Sequence, residues 1–294
     1  HLTEIDAIAK NKKRPTFENT IVAMEKSGHT LDRVSTVYDI WTSNLSTKEL
    51  EPIETEIEPL RAAHGDKITQ NAELFKRIEA VYEGFQKRKP GDPEKARLAW
   101  LYYTNFVRSG AKLQPAQKAR LAEINQKLAG LFTRFSQNLL GDEGQLFVEI
   151  TNEADLAGLP PSLRASAAQA AESKGKKGSW LIRNTRSSVD PFLTYSQNRL
   201  LREKVWKMFV NRGDNGDARD NNAIITEVLQ LRIERAKLLG YETHAHWRLE
   251  NAMAKNPENA MKLMEGVWPA AIARVKEEVA DMQALADKEK AGIS

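Results

Sequence analysis

The chain has 294 residues, 41% hydrophobic and 29% charged, which excludes a disordered chain and leaves ample apolar material for one large helical domain or two smaller ones. Lysine and arginine exceed aspartate and glutamate by only 44 to 40, a surplus too small for a nucleic-acid-binding stripe. The absence of cysteine excludes disulfides, thiolate zinc sites and cysteine nucleophiles.

The first residues, His1-Leu2-Thr3-Glu4-Ile5-Asp6, read as the middle of a helix rather than a signal peptide. A start at His1 instead of Met leads us to expect missing upstream residues. No apolar run approaches the roughly 18 residues of a membrane span, so no membrane partner is expected. The basic clusters Lys10-Asn11-Lys12-Lys13-Arg14 and Lys87-Arg88-Lys89 are short and separated by acidic segments, and they read as solvated loops.

Helical periodicity dominates the chain in order. Over Thr30 to Leu45, the residues Leu31, Val34, Tyr38, Trp41 and Leu45 recur at spacings of three and four, which predicts a core-facing stripe. Glu49, Glu51, Glu54, Glu56 and Glu58 alternate with Ile53, Ile57 and Leu60, which predicts an amphipathic helix with the carboxylates on its solvated face. His64-Gly65-Asp66 reads as a helix stop followed by a new start. Lys89-Pro90-Gly91-Asp92-Pro93 reads as a turn-rich loop. The aromatic group Trp100, Tyr102, Tyr103 and Phe106 reads mostly as helix core, with a ligand groove as the other reading.

From Gln114 to Leu140, Leu121, Ile124, Leu128, Leu131, Phe135 and Leu139 predict a helix about 40 Å long, ended by Gly141. Two β-prone runs, 145–150 and 178–183, are expected to pair as a small ribbon across a helix from Pro161 to Ser173. The turn-rich Gly213-Asp214-Asn215-Gly216-Asp217 connects helices. A helix from about Asp220 to Leu239 stops at Leu239-Gly240, and a further short helix is expected over Trp247 to Met253. Asn256-Pro257-Glu258 then opens a long helix whose core-facing residues would be Met261, Met264, Trp268, Ile272, Val275, Val279 and Met282. The fold class predicted is all-α, built of long antiparallel helices with one small ribbon.

The histidines stand at positions 1, 29, 64, 244 and 246, and none begins a His-Glu-x-x-His motif. On a helix, His244 and His246 would point about 200° apart and could not share an ion. No Gly-x-Ser-x-Gly motif and no phosphate-binding glycine motif occurs. The residues alone define a helical domain and no reactive centre.

Several segments in order carry a resemblance. These are Glu4-Ile5-Asp6-Ala7-Ile8-Ala9, Pro15-Thr16-Phe17-Glu18-Asn19-Thr20-Ile21, Met24-Glu25-Lys26-Ser27-Gly28, Ser109-Gly110-Ala111-Lys112-Leu113, Asn198-Arg199-Leu200-Leu201-Arg202-Glu203-Lys204, Leu238-Leu239-Gly240-Tyr241 and Met253-Ala254-Lys255-Asn256-Pro257-Glu258. Together they resemble the thimet-oligopeptidase-like zinc metallopeptidases, and within that family the peptidyl-dipeptidase branch. The resemblance implies a largely helical enzyme whose two halves flank a deep channel, and it places residues 1–294 as the N-terminal half, truncated at both ends. It implies one zinc ion in the intact parent, held by the missing C-terminal half, so that neither catalytic nor metal residues are expected here. The substrate contacts stay unassigned.

The activity implied is removal of C-terminal dipeptides from oligopeptides, with this chain shaping the channel and inactive alone. Its partners would be the oligopeptide and the missing half, and its location the bacterial cytoplasm or periplasm, the cytoplasm favoured. The other reading is a stand-alone helical peptide- or protein-binding module. Within the resembling segments, Arg199, Arg202 and Glu203 are expected to form ion pairs along a helix surface.

Overall fold

The computed structural model describes residues 1–45, 47–87 and 91–292. Arg88, Lys89 and Pro90, expected in a basic cluster and a turn-rich loop, lie outside the described residues. The chain divides into two compact units, His1–Leu231 and Arg232–Ser294. Among the described residues no helix is long and apolar enough to cross a membrane.

The first unit opens with α1 (Leu2–Ala9) and a π-helical turn (Phe17–Val22) that runs into α2 (Ala23–Glu25). Thr16 caps that turn reciprocally: its hydroxyl accepts from the Asn19 amide at 3.1 Å, and the Asn19 side-chain oxygen accepts from the Thr16 amide at 2.9 Å. Next come α3 (His29–Asn44), α4 (Leu50–Thr69), α5 (Ala72–Gln86), α6 (Pro93–Arg108) and α7 (Pro115–Gln145). Ile5, Ile21, Leu74, Ile78, Ala99 and Phe106 join α1, the π-helical turn, α5 and α6 in one core.

Helices α4 and α7 pack antiparallel, as paired side chains show: Gln137 donates to the Glu51 carbonyl at 2.8 Å at one end, and Asn125 donates to Asp66 at 2.8 Å at the other. The Ser109-Gly110-Ala111 turn ends α6 with its last carbonyls satisfied. The Ala111 amide donates to Phe106 and the Gly110 amide to Val107, and Gly110 takes φ +90, where an added Cβ would meet Leu121 at 2.6 Å.

A second core joins the ribbon strands β1 (Phe147–Ile150) and β2 (Trp180–Arg183) to α8 (Pro161–Ser173), α9 (Arg186–Tyr195) and α10 (Arg199–Val210). The strands pair antiparallel, Phe147 opposite Arg183 and Ile150 opposite Trp180, in the two β-prone runs expected to form a ribbon. Helix α11 (Asn222–Leu238) begins in the first unit, where Ile224, Val228 and Leu231 are buried. The second unit holds the end of α11, α12 (His244–Leu249) and α13 (Pro257–Lys288). At the end of α11 the Gly240 amide donates to Lys237 and the Tyr241 amide to Ala236, the same stop as at Gly110. Asn256 caps α13 by accepting from the Asn259 amide at 2.8 Å.

Several expectations need correction. His64-Gly65-Asp66 is no break: α4 runs through it to Thr69, where Asn71 starts α5, because packing on α7 and the Asp66–Asn125 hydrogen bond hold the turn helical. Gly141 does not end α7 either. It sits within the helix because Arg219 packs against it, and a Cβ there would lie 2.6 Å from the Arg219 Cδ. The short helix of the second unit is His244–Leu249, earlier than the segment from Trp247 to Met253, because Thr243 supplies the N-cap.

The apolar stripes of α3 and α13 are not buried. Leu31, Val34, Trp41 and Leu45 are exposed, as are Met261, Met264, Trp268, Ile272, Val275, Val279 and Met282. Periodicity fixes which side chains share a face; only a neighbouring element buries them. Helix α4 departs in the same way. Ile53 and Leu60 are exposed, whereas Glu54 takes a hydrogen bond from Gln137 of α7 and Glu58 one from Tyr38 of α3.

Candidate functional site

Three polar centres organise the described residues, and helix periodicity announced none of them. The first is Arg77 on α5, a charged residue only 5% exposed. It donates to the Asn11 carbonyl at 2.7 Å, the Lys13 carbonyl at 3.1 Å, the Asn19 side-chain oxygen at 2.8 Å and the Thr20 hydroxyl at 3.3 Å. The basic loop 10–14 thus has exposed side chains, as expected, on a backbone tied down from α5.

The second centre is Asp142 near the end of α7, whose side chain is fully buried. One carboxylate oxygen accepts from the Arg219 Nε at 2.6 Å; the other accepts from the Gly213 amide at 2.8 Å and the Asn215 side chain at 2.9 Å. Beside it, Arg212 pairs with Glu143. This carboxylate converts the glycine-rich connection 213–217 into a fixed corner that sets where α11 begins. The pairing holds the Arg219 guanidinium above its ordinary range, the hydrogen bond to Asp142 being the main cause. Residues about 70 apart meet here; the sequence marked the turn-rich connection 213–217 but not the carboxylate that holds it.

The third centre lies in the second unit. His244 stands beside Trp247 with ring centroids 5.4 Å apart, and the Arg235 and Arg248 guanidinium groups lie 4.7 and 5.7 Å from the Trp247 ring. Burial first, then the charges of Arg232, Arg235 and Arg248, push the His244 imidazole down to about 4. The neutral ring is therefore the folded form. Because the ordinary value is 6.5, its contribution to stability is complete above that pH and is lost as pH falls toward about 4. We expect an NMR titration of His244 to remain neutral at pH 5, and His244→Gln to flatten the loss of stability of this unit between pH 6.5 and 4. A His244 titrating at its ordinary value would contradict this.

The histidines fall into separate environments. His1 and His64 meet at 3.1 Å between ring nitrogens, a contact 63 residues apart in sequence, and burial is the chief cause that lowers the His64 imidazole. His29 is exposed at the start of α3. His246 contacts the Thr243 hydroxyl at 2.8 Å and lies 3.7 and 3.6 Å from Glu242 and Glu258. His244 and His246 thus lie on one short helix with different neighbours, as helix geometry requires. Among the described residues, no three histidine, aspartate or glutamate side chains converge to hold a metal ion, so the donors here do not fit zinc.

Of the aromatic group, Phe106 is buried, Tyr103 stacks on Phe75 and Tyr82, and Tyr102 donates to Glu25 at 2.7 Å. Burial, then that carboxylate, raises the Tyr102 hydroxyl. Phe106 belongs to the core, Tyr102 and Tyr103 are partly buried against it, and Trp100 lies outside that cluster with the Arg97 guanidinium 4.0 Å from its ring. On α10, Glu203 pairs with Lys207 at 2.6 Å, and Arg202 donates to the Ser196 carbonyl at 2.5 Å; the expected ion pairing is thereby redistributed, because Ser196 lies under the start of the helix. The groove with an apolar lining lies along α3, where Val34, Val37, Tyr38, Trp41 and Leu50 enclose about 610 Å³. Burial, then Glu58, pushes the Tyr38 hydroxyl at its edge up to about 12.

The described residues thus offer a helical scaffold with an apolar groove along α3. The peptidase family M3 model matches residues 192–294. The chain is 36% identical over 99% of its length to dipeptidyl carboxypeptidase of Escherichia coli, and 34% identical over 99% to that of Salmonella typhimurium. Residues 192–294 thus carry a peptidase family M3 match, and the chain as a whole is similar to these carboxypeptidases. Oligopeptidase A of Haemophilus influenzae is a further relative, 29% identical over 93% of the chain. The chain spans 43% of each dipeptidyl carboxypeptidase and 40% of the oligopeptidase, less than half the length of these M3 relatives.

Proposed function

We propose that this chain is the N-terminal, channel-forming part of a zinc-dependent peptidyl-dipeptidase that releases dipeptides from the free C-termini of oligopeptides. The observation that carries this reading is the 36% identity over nearly the whole chain to a dipeptidyl carboxypeptidase of which the chain spans 43%. In this reading the residues described here build helical walls, and the metal chemistry belongs to the remaining part of the enzyme. When bound there, zinc would polarise the scissile carbonyl and activate water. The residues of this chain would confine the peptide by access.

The test uses the gene product at the length of its relatives, supplied with zinc and offered an oligopeptide with a free or an amidated C-terminus. We expect successive dipeptides from the free peptide and none from the amidated one, with no release by the 294-residue chain alone. Internal cleavage of both peptides would replace the dipeptidase branch by an oligopeptidase. Dipeptide release by the purified 294-residue chain would overturn the division of labour. A second reading, a stand-alone helical module, draws on the apolar groove of α3. Tight binding of peptides by a gene product without peptidase activity would favour it.

A further inference from the structure

The connection between α10 and α11 carries the one Asn-Gly pair in the chain, Asn215-Gly216. Glycine has no Cβ, so its amide nitrogen is open to close approach by the preceding side chain. In such a pair the Gly216 nitrogen can attack the Asn215 Cγ. The N–Cγ bond forms as the amide proton leaves, the Cγ–Nδ2 bond breaks, and Nδ2 takes up a proton and departs as ammonia. Water then opens the cyclic imide to aspartate or isoaspartate. Both residues are exposed, so water reaches this peptide from solvent.

The folded corner ties the two reacting groups to different carboxylates. The Asn215 Nδ2 donates to the buried Asp142 at 2.9 Å, and the Gly216 amide donates to Asp220 at 3.1 Å. Hydrogen bonds from the Asn222 and Gly216 amides hold the Asp220 carboxyl below its ordinary value, which makes it a poor base for the amide proton. Deamidation would replace the Asn215 donor by a carboxylate facing Asp142. Arg219 already serves both Asp142 and Asp217, so the new charge would meet like charge without a cation of its own.

We infer that Asn215-Gly216 is a deamidation site that the Asp142 corner keeps closed, and that its modification is a ratchet. Once the corner has opened long enough for the imide to form, the new carboxylate opposes its closing again.

Trypsin cutting after Arg212 and Arg219 isolates Asn215 in a peptide without another side-chain amide, so mass spectrometry reads its conversion directly. The full gene product is incubated at mildly alkaline pH, folded and in concentrated urea. We expect conversion at least about tenfold slower in the folded protein. Asp142→Asn should raise the folded rate at least about tenfold. Leu74→Ala, a truncation in the first core and away from the corner, should leave it unchanged. Equal rates with and without urea would overturn the inference. So would acceleration by Leu74→Ala, which would make general unfolding the gate, or none by a folded Asp142→Asn. Asn215→Asp tests the ratchet even where Asp142→Asn does not fold: its unfolding midpoint should lie below that of Asn215→Ala, which loses the same donor and gains no charge. Coincident midpoints would remove the ratchet.

Discussion

Asp142→Ala is expected to destabilise the first unit by about 3–5 kcal/mol, the cost of removing one partner from a buried ion pair. The carboxylate holds Arg219, the Gly213 amide and Asn215 together, so its loss leaves three donors facing a cavity the size of the missing group. For a unit of this size, that corresponds to a fall in Tm of roughly 10 °C. Two further variants separate the charge from the packing. Arg219→Ala leaves the carboxylate with two donors, so the double variant Asp142→Ala/Arg219→Ala should cost clearly less than the sum of the singles. Gly141→Ala should destabilise as well, because its Cβ would lie 2.6 Å from the Arg219 Cδ and the clamp would have to shift. Chemical denaturation followed by circular dichroism measures all four. A loss below about 1 kcal/mol for Asp142→Ala would show that the 213–217 corner is held by something else.

Arg77→Ala is the second large effect, expected at about 3 kcal/mol, since four acceptors lose a charged donor in a site closed to water. Lysine is not equivalent here. Its single ammonium cannot span two carbonyls and two side chains at once, so Arg77→Lys should recover only part of the loss. The effect has a local signature in addition to the global one. The anchored loop carries Lys10, Lys12, Lys13 and Arg14, and in Arg77→Ala trypsin should cut after Lys12 or Lys13 well before it cuts the packed helices. Uniform cleavage of the variant, with this loop no more sensitive than the remainder, would argue against the anchor.

The legible part of this protein was its local grammar. Spacings of three and four located α7 and α13, β-prone runs located the two ribbon strands, and cap chemistry placed the start at Pro257 and the stop at Gly240. These signals are legible because they act between residues a few positions apart, where chain geometry leaves one partner available. Glycine shows the limit of that grammar. Gly110 takes a left-handed conformation and ends a helix, whereas Gly65 and Gly141 remain helical, and residue type alone does not separate them.

The residues that organise the candidate site were not legible in the same way. Asp142 meets Arg219 across 77 positions, Arg77 meets Asn11 across 66, and His1 meets His64 across 63. Such meetings depend on how α5 and α7 lie against their neighbours, and no local pattern encodes that. The resemblance to a peptidase family was legible through ordered segments, because a sequence of caps and turns at matching intervals is specific even where each one alone is common.

By itself, then, the sequence determined the helical class, the two strands, the start of α13, the stop of α11 and the absence of cysteine chemistry, since each is decided by the residue itself or by neighbours within a few positions. Only the tertiary structure decided which apolar stripes are covered. The α7 stripe is buried through Leu121, Ile124, Leu128 and Leu131, while the equally regular stripes of α3 and α13 stand in solvent. The pattern is the same in all three helices; what differs is the presence of a packed neighbour, and burial is a property of pairs of elements rather than of one.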